Sequence, residues 1–291
     1  MLTALLPGGS IVHASEYDNR KHSLTLACMD PQCKAPVVYV EESERASAHF
    51  KTVGKSHDTR HKITCGFFSP LDVVGAINKV AEYQQVVMDS PSVPKHVVTL
   101  NLKKLDPDLM SKTVEKKEKK EEEEEDVLKA KAENKTPSTI NTLKGIVKLL
   151  SGYEPDILAS IYFNVGGRKL PMSEVILSPI RAYDMLWEDR TIRGMQYFIY
   201  GKVVDIRKLE KVMYIDLESL EGDRPFTVVI FANYFQHFKL RLEELKNKDI
   251  LVFGELRKNE YKDRKKSEII IKSHKYIELI KRNGAVGDVG G

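Results

Sequence analysis

The chain is short of cysteine, short of long apolar runs and nearly without tryptophan. Three Cys occur in 291 residues, an odd number, and all lie within 28–65. An odd, clustered set argues against a disulfide scaffold and for metal ligation. No stretch approaches ~18 apolar residues, so no membrane-spanning helix is expected. The start, Met1–Pro7, lacks a basic region and a long apolar segment, so no secretory signal is expected. A reducing, cytoplasmic setting is the default reading. One Trp is present, and aromatics make up 8%.

What is there is charge, unevenly spread. Net charge is +4. Residues 193–282 hold 20 Lys and Arg against 14 Asp and Glu, net +6, and residues 105–192 hold 14 against 17, net −3. A basic C-terminal part suits a polyanionic partner, and it equally suits a solvated surface of mixed sign.

The pattern along the chain divides it. Ile11–Ala14, Leu24–Ala27 and Val37–Val40 read as short strands among turns. Residues 70–88 read as a helix capped by Ser69, with Asp72 completing a capping box. Val97–Leu102 reads as a strand. Residues 105–137 then run through Glu115–Lys120, Glu121–Glu125 and Asp126 with almost no apolar content. That run is a solvated single helix or a disordered linker, and it marks a domain boundary. Residues 138–191 read as a helical connector: Thr139–Leu150, Ile157–Phe163 and Ser178–Trp187. The Gly166-Gly167 pair is not a phosphate loop, because no GxxxxGK[ST] surrounds it. Residues 283–291 read as a flexible tail. The expected class is α+β in two domains: a zinc-ribbon-like β-rich module with a helix over 1–104, and a five-stranded β-barrel over 192–282.

The first constellation is Cys28, Cys33, His61 and Cys65. Structural zinc takes four Cys or His ligands in a tetrahedron, usually as two close pairs. Four residues separate Cys28 from Cys33, and three separate His61 from Cys65, so each pair can face one point. His57, one turn earlier, is the alternative fourth ligand. His49 reads as a packing or hydrogen-bonding residue. No HxE or HExxH accompanies the set, so the expected ion is structural Zn²⁺ and no catalytic residue is assigned. The order Ile11–Ala14, Leu26-Ala27-Cys28, Cys33, Pro36–Val38, His49-Phe50 and the closing His and Cys65 resembles the zinc-binding N-terminal module of competence CoiA-like proteins, over about residues 8–68. In that family the module often precedes a nuclease domain. No Asp and Glu-x-Lys pattern is placed on strands after Cys65, so nuclease activity is not expected from this resemblance.

The second constellation is five strand-like segments: Met195–Ile206, Val212–Leu217, Phe226–Phe231, Asp249–Leu256 and Ser267–Leu279. A helix-like segment, Tyr234–Leu245, lies between the third and fourth. This is the OB order. Ile199-x-Gly201-x-Val203, Leu217-Glu218, Val229–Phe231, Leu245…Asp249 and Val252-x-Gly254 resemble the OB nucleic-acid-binding family of tRNA anticodon-binding domains and replicative polymerase α subunits. Alternation puts Tyr197, Ile199, Gly201 and Val203 in the core. It puts Phe198, Tyr200 and Lys202 outside, with Lys211 and Tyr214 from the second strand. The turn between strands four and five supplies Arg257, Lys258, Tyr261, Lys262, Arg264, Lys265 and Lys266. Cations would track phosphates while aromatics stack bases. Phe198 and Tyr200 can equally pack on the connector. The expected partner is single-stranded DNA or RNA, with a replication or recombination protein as a further candidate. The functional class is an accessory factor in replication, recombination, repair or mobile-element biology. The competing classes are a protein-interaction scaffold using the OB fold and a nuclease with unrecognised catalytic residues.

Overall fold

The computed structural model describes residues 1–22, 24–44, 46–54, 56–110, 136–219, 224–239, 242–262 and 264–281. The fold is α+β, with mixed sheets and mostly strands. No helix among the described residues is long and apolar enough to cross a membrane.

Five short antiparallel strands form the first sheet: β1 (Thr3–Leu5), β2 (Ile11–His13), β3 (Leu26–Ala27), β4 (Pro36–Val40) and β5 (His49–Thr52), in the order β2-β1-β3-β4-β5. Its core is small, and Cys28, Cys33 and Cys65 are part of it, beside Val12, Leu26, Val37 and Phe50.

Helix α1 (Val73–Asp89) follows. It starts later than the sequence suggests. Asp72 is the cap, accepting from the Gly75 amide at 2.7 Å, and Ser69 is not. A carboxylate just before the first apolar repeat is the better-placed acceptor for the free amides. Val73, Ile77, Val80 and Val87 are buried along one stripe. Next come β6 (His96–Leu100), a 3-10 turn over Lys103–Leu105 and α2 (Pro107–Met110). Most of the charged stretch expected as a linker over 105–137 lies outside the described residues, as does the tail 283–291. Its beginning is described and docked. Leu105 is buried, and the Lys272 ammonium donates to Asp106 at 2.9 Å and to Asp108 at 2.8 Å.

Residues 138–191, expected as helices, also carry strands. The helices are α3 (Leu143–Gly152), α4 (Pro155–Ala159), α5 (Met172–Val175) and α6 (Pro179–Trp187). The strands are β7 (Thr139–Ile140), β8 (Ile161–Val165), β9 (Arg168–Pro171) and β10 (Ile176–Leu177). The run 157–163 is therefore split: helical to Ala159, extended from Ile161. Gly166 and Gly167 sit at φ +58° and +88°, the left-handed pair of a two-residue hairpin turn, and they fold β9 back on β8. Strand β6, from before the charged run, pairs in parallel with β7 and β8 from after it, in the order β7-β6-β8-β9.

The third sheet holds β11 (Gln196–Lys208), β12 (Val212–Leu217), β13 (Phe226–Phe231), β14 (Asp249–Tyr261), β15 (Arg264–Ile270) and β16 (Ile277–Ile280), with β10 at its edge. The pairing runs β11-β12-β13-β15-β14 and returns from β14 to β11, a ring of ladders. Within the ring all ladders are antiparallel except β13 with β15, and β10 joins the edge of β11 in parallel. Two strands of 13 residues, β11 and β14, make the closure by changing partners along their length. A shift of register between Val203 and Asp205 bends β11 where it does so. Gly254 is fixed by contact: a Cβ there would lie 2.8 Å from Ile269 Cγ1 and 2.8 Å from the Ile270 carbonyl. The expected segment Ser267–Leu279 is two strands, interrupted by a 3-10 turn at His274–Tyr276. The expected helix-like stretch Tyr234–Leu245 contains 3-10 turns, Ala232–His237 and Leu242–Leu245.

Candidate metal centre and candidate nucleic-acid interface

The turn after β3 and the turn before α1 bring four side chains to one point. Cys28, Cys33, His61 and Cys65 offer ligand atoms that all lie within 4.8 Å of one another. Cys28 Sγ is 3.7 Å from Cys65 Sγ, and His61 Nδ1 is 3.5 Å from Cys33 Sγ and 3.4 Å from Cys65 Sγ. A tetrahedron with arms of about 2.3 Å to sulfur and 2.0 Å to nitrogen has edges of roughly 3.5–3.8 Å. The residues present therefore fit a tetrahedral ion. The Cys28–Cys65 hydrogen bond, with those of His61 and the Phe67 amide, holds the Cys65 thiol down to about 5 against its burial. The same sharing, with burial, pushes Cys28 up. A thiolate next to an imidazole is the donor chemistry that cations take up.

His57 lies on a separate exposed 3-10 turn, His57–Thr59, outside this cluster. His49 is on β5, with Nδ1 2.9 Å from the Ser47 carbonyl.

Asp30 is a residue that the spacing argument missed. It is fully buried between the two cysteines of the first turn. Its Oδ1 accepts from the amides of Gln32 and Cys33, both at 3.0 Å. Its Oδ2 accepts from the Gly66 amide at 3.2 Å, Lys79 Nζ at 3.1 Å and the Tyr83 hydroxyl at 2.5 Å. One carboxylate thus ties both ligand turns to α1. Burial acts to raise its pKa, and the bonds from Tyr83, Lys79, Gly66 and Gln32 outweigh it, so the carboxyl titrates below its usual range.

The second candidate site is on the strand ring. Along β12, Met213, Ile215 and Leu217 are buried, and Tyr214 and Asp216 alternate with them on the outer face. Pairing continues that face across the ring: Asp216 lies opposite Thr227, Thr227 beside Glu268, and Glu268 opposite Arg257. The Tyr214 ring has the Arg207 guanidinium 5.5 Å and the Lys266 ammonium 5.7 Å from its centre. Both cations also meet Asp216, Arg207 at 2.7 Å and Lys266 at 3.5 Å. Burial raises the Asp216 pKa, but the Thr227 hydroxyl, Lys266 and Arg207 outweigh it, so the carboxyl stays below its usual range.

The expected contact residues divide. Lys211 is exposed in the turn between β11 and β12, and Lys202 is half-buried on β11. Arg257, Lys258, Lys262, Arg264 and Lys265 are exposed on the β14–β15 hairpin, and Lys266 is half-buried there. The Tyr261 side chain lies outside the described residues. Phe198 corrects the alternation argument. It is fully buried between Phe163 of β8 and Phe253 of β14, with ring centres 6.3 and 4.6 Å away. Strand β11 has packed layers on both sides here, so no residue of Tyr197–Ile199 reaches solvent. Tyr200 is half-buried too, and its hydroxyl donates to Asn78 Oδ1 of α1 at 2.9 Å. It serves a seam between β11 and α1. Arg207 and Asp216 were missed; their two-residue phase with Tyr214 across the β11–β12 hairpin is the signal that reveals them.

No model of a known protein family matches the chain, and no curated protein matches it. The resemblance to the CoiA-like module is thus not shown. Among solved structures, the chain is similar to a chain of the S. pombe Stn1-Ten1 complex, at 18% identity and TM-score 0.24, over 30% of this chain and 58% of that one. It is similar to OBody NL8 bound to hen egg-white lysozyme, at 14% identity and TM-score 0.24, over 31% of this chain and 100% of that one. It is also similar to asparaginyl-tRNA synthetase from Pyrococcus horikoshii, at 14% identity and TM-score 0.22, over 31% of this chain and 20% of that one. The match spans under two thirds of the Stn1-Ten1 chain and a fifth of the synthetase. Likenesses of this size carry no conclusion for this chain.

Proposed function

We propose that this chain binds single-stranded nucleic acid, DNA in the first instance, on the outer face of the strand ring. We read that ring as a five-stranded OB barrel, since its ladder order β11-β12-β13-β15-β14 with a parallel β13–β15 pair is the order an OB barrel takes. One observation carries the reading: an aromatic ring on the central outer strand, Tyr214, held between Arg207 and Lys266. Two basic hairpins flank it, Arg207, Lys208 and Lys211 on one side and Arg257 to Lys266 on the other. A ring with cations over it offers phosphates a counter-charge, and it offers a base a stacking surface once a cation swings off the ring to a phosphate.

The metal centre we assign to Zn²⁺ in a structural role. Three sulfurs and one imidazole are a ligand set that zinc takes, and four protein ligands close its coordination. Bound zinc would supply cohesion to a small sheet, and Asp30 would hold the ligand turns in place. The wider role is that of an accessory factor in replication, recombination, repair or mobile-element biology in the reducing cytoplasm, where the three thiols stay available. The charged stretch 105–137 would act as a linker.

A second reading is favoured by Asp216. It already neutralises both cations at Tyr214, which suits a face that docks a protein. Fluorescence anisotropy with single-stranded DNA, single-stranded RNA and duplex, repeated across salt, separates the two. The proposal expects tighter single-strand than duplex binding and a log–log salt slope of about −0.7 for each phosphate engaged. Absence of single-strand binding, or equal affinity for duplex explained wholly by salt, overturns it.

A further inference from the structure

The only tryptophan of the chain, Trp187, lies outside the outer face just described, yet it repeats that face's chemistry. It ends helix α6 and is half-buried. Its indole N–H donates to the buried Ser267 hydroxyl at 3.1 Å, which fixes the plane of the ring. Two ammonium groups of the β14–β15 hairpin stand over it, Lys265 Nζ at 5.0 Å and Lys258 Nζ at 5.4 Å from the ring centre. Tyr183, one turn earlier on α6, lies 5.9 Å from it, centre to centre.

The register explains why this is a second platform. Lys258 pairs with Ser267, and Glu260 with Lys265, so Lys258, Ser267 and Lys265 share one face of the hairpin. Lys266 is on the opposite face, over Tyr214. One basic hairpin therefore holds an aromatic ring on each of its faces. Lys265 sits on an exposed hairpin and swings easily; Lys258 is also held by Asp189 at 2.6 Å, in a surface ion pair of the weak kind that a phosphate can displace. A lysine that moves from the ring to a phosphate uncovers an indole face on which a base can stack.

We propose that Trp187, with Lys258 and Lys265, is a second contact for the same single strand, reached after it crosses the β14–β15 hairpin from Tyr214. This rests on the reading of the outer face as a single-strand-binding surface. Because Trp187 is the sole tryptophan, emission of the full chain excited at the red edge of the indole band, where the 12 tyrosines do not absorb, reports on that residue alone. Labelled oligothymidylates of about 4 and about 16 nucleotides, the ends of the range that one OB fold covers, are titrated in parallel by anisotropy. The longer strand is expected to quench the emission in step with its anisotropy, and the shorter to bind without quenching. Trp187→Leu keeps an apolar side chain but no aromatic face. It is expected to weaken the longer strand about 5- to 150-fold and to leave the shorter unchanged. The double change Lys258→Gln and Lys265→Gln retains the indole and is expected to make the salt slope for the longer strand shallower by about 0.7 for each phosphate that is no longer neutralised. Saturating anisotropy with unchanged emission, or wild-type affinity and slope in both variants, overturns the second platform and leaves the outer face standing. No anisotropy change with either strand overturns the outer face and the platform with it.

Discussion

The cysteine sheet and the strand ring are held together by different means. The sheet has strands of two to five residues and a core of ten buried residues among those described, three of which are the ligand cysteines. The ring has two 13-residue strands and shares one continuous core with α1, α3 and the four-stranded sheet. A small core cannot offset the entropy of ordering its chain without a staple. A ring of ladders packed on Ile215, Phe226 and Val228, with Phe198 and Phe253 buried against β8 on its other side, needs none. Stability should therefore follow the metal in one region and apolar packing in the other.

The largest break in that contrast is removal of the metal. Structural zinc sites contribute roughly 10–16 kcal/mol of apparent binding energy at neutral pH, and that energy is folding energy. Cys28→Ser, or a chelator, should release the ion and unfold the sheet over about residues 1–68. The ring should keep its protection. Elemental analysis with hydrogen exchange reads both at once. Loss of protection throughout the ring would show that the two regions do not have separate supports.

A smaller break is Asp30→Ala. It removes a buried carboxylate that satisfies three backbone amides, Lys79 and Tyr83. Lys79 would keep Glu82, at 2.8 Å, as a partner, so the main loss is at the buried Tyr83 hydroxyl and the three amides. Leaving a buried donor unsatisfied costs about 1–3 kcal/mol. The expected result is a lower thermal midpoint and weaker metal retention on chelator challenge. Unchanged retention would confine Asp30 to docking α1.

What the sequence makes legible follows the same divide. The ligand set reads out as residue types at set spacings, because a tetrahedral site needs them there, and the four come together. Asp30 does not read out, because an Asp in a Cys-to-Cys turn also serves any ordinary turn. The ring's strands stand out as β-branched runs, so their order is visible. Their faces are not, because alternation assumes one wet side, and β11 at Phe198 has none. The strand Ile161–Val165 was hidden in an apolar run that fits a helix equally well. Only the Gly166-Gly167 pair, as a hairpin turn, marks it.

On the outer face the expected effects are smaller and separable. Tyr214→Ala should cost about 1–3 kcal/mol of single-strand affinity with the salt slope unchanged, because stacking releases no counterions. Tyr200→Ala should instead lower stability, since its hydroxyl and ring serve the seam with α1. Anisotropy across salt, beside a thermal melt, distinguishes the two tyrosines. Equal loss of affinity from both would undo the distinction between the buried and the outer ring.

The smallest effect is the most telling, because it runs in opposite directions for the two functions. Asp216 holds Arg207 and Lys266 beside Tyr214. Asp216→Asn keeps the shape and a hydrogen-bond acceptor for Thr227, and it removes the charge that competes with phosphate. If the face binds nucleic acid, affinity for single strands should rise a few-fold and the salt slope should steepen by up to about 0.7 for each cation set free. Stability should lose its dependence on this carboxyl. In the native chain its folded pKa lies below the unfolded value of about 3.9. That stabilisation is present above the unfolded value and is lost as pH falls through the folded one. A urea midpoint measured from neutral to about pH 3 should thus fall less steeply in the variant. A face that docks a protein through this charge network would show the same flattened pH profile and no gain for single strands. A variant that binds no better and titrates as before would make Asp216 a bystander, leaving Tyr214 with cations already free for phosphate.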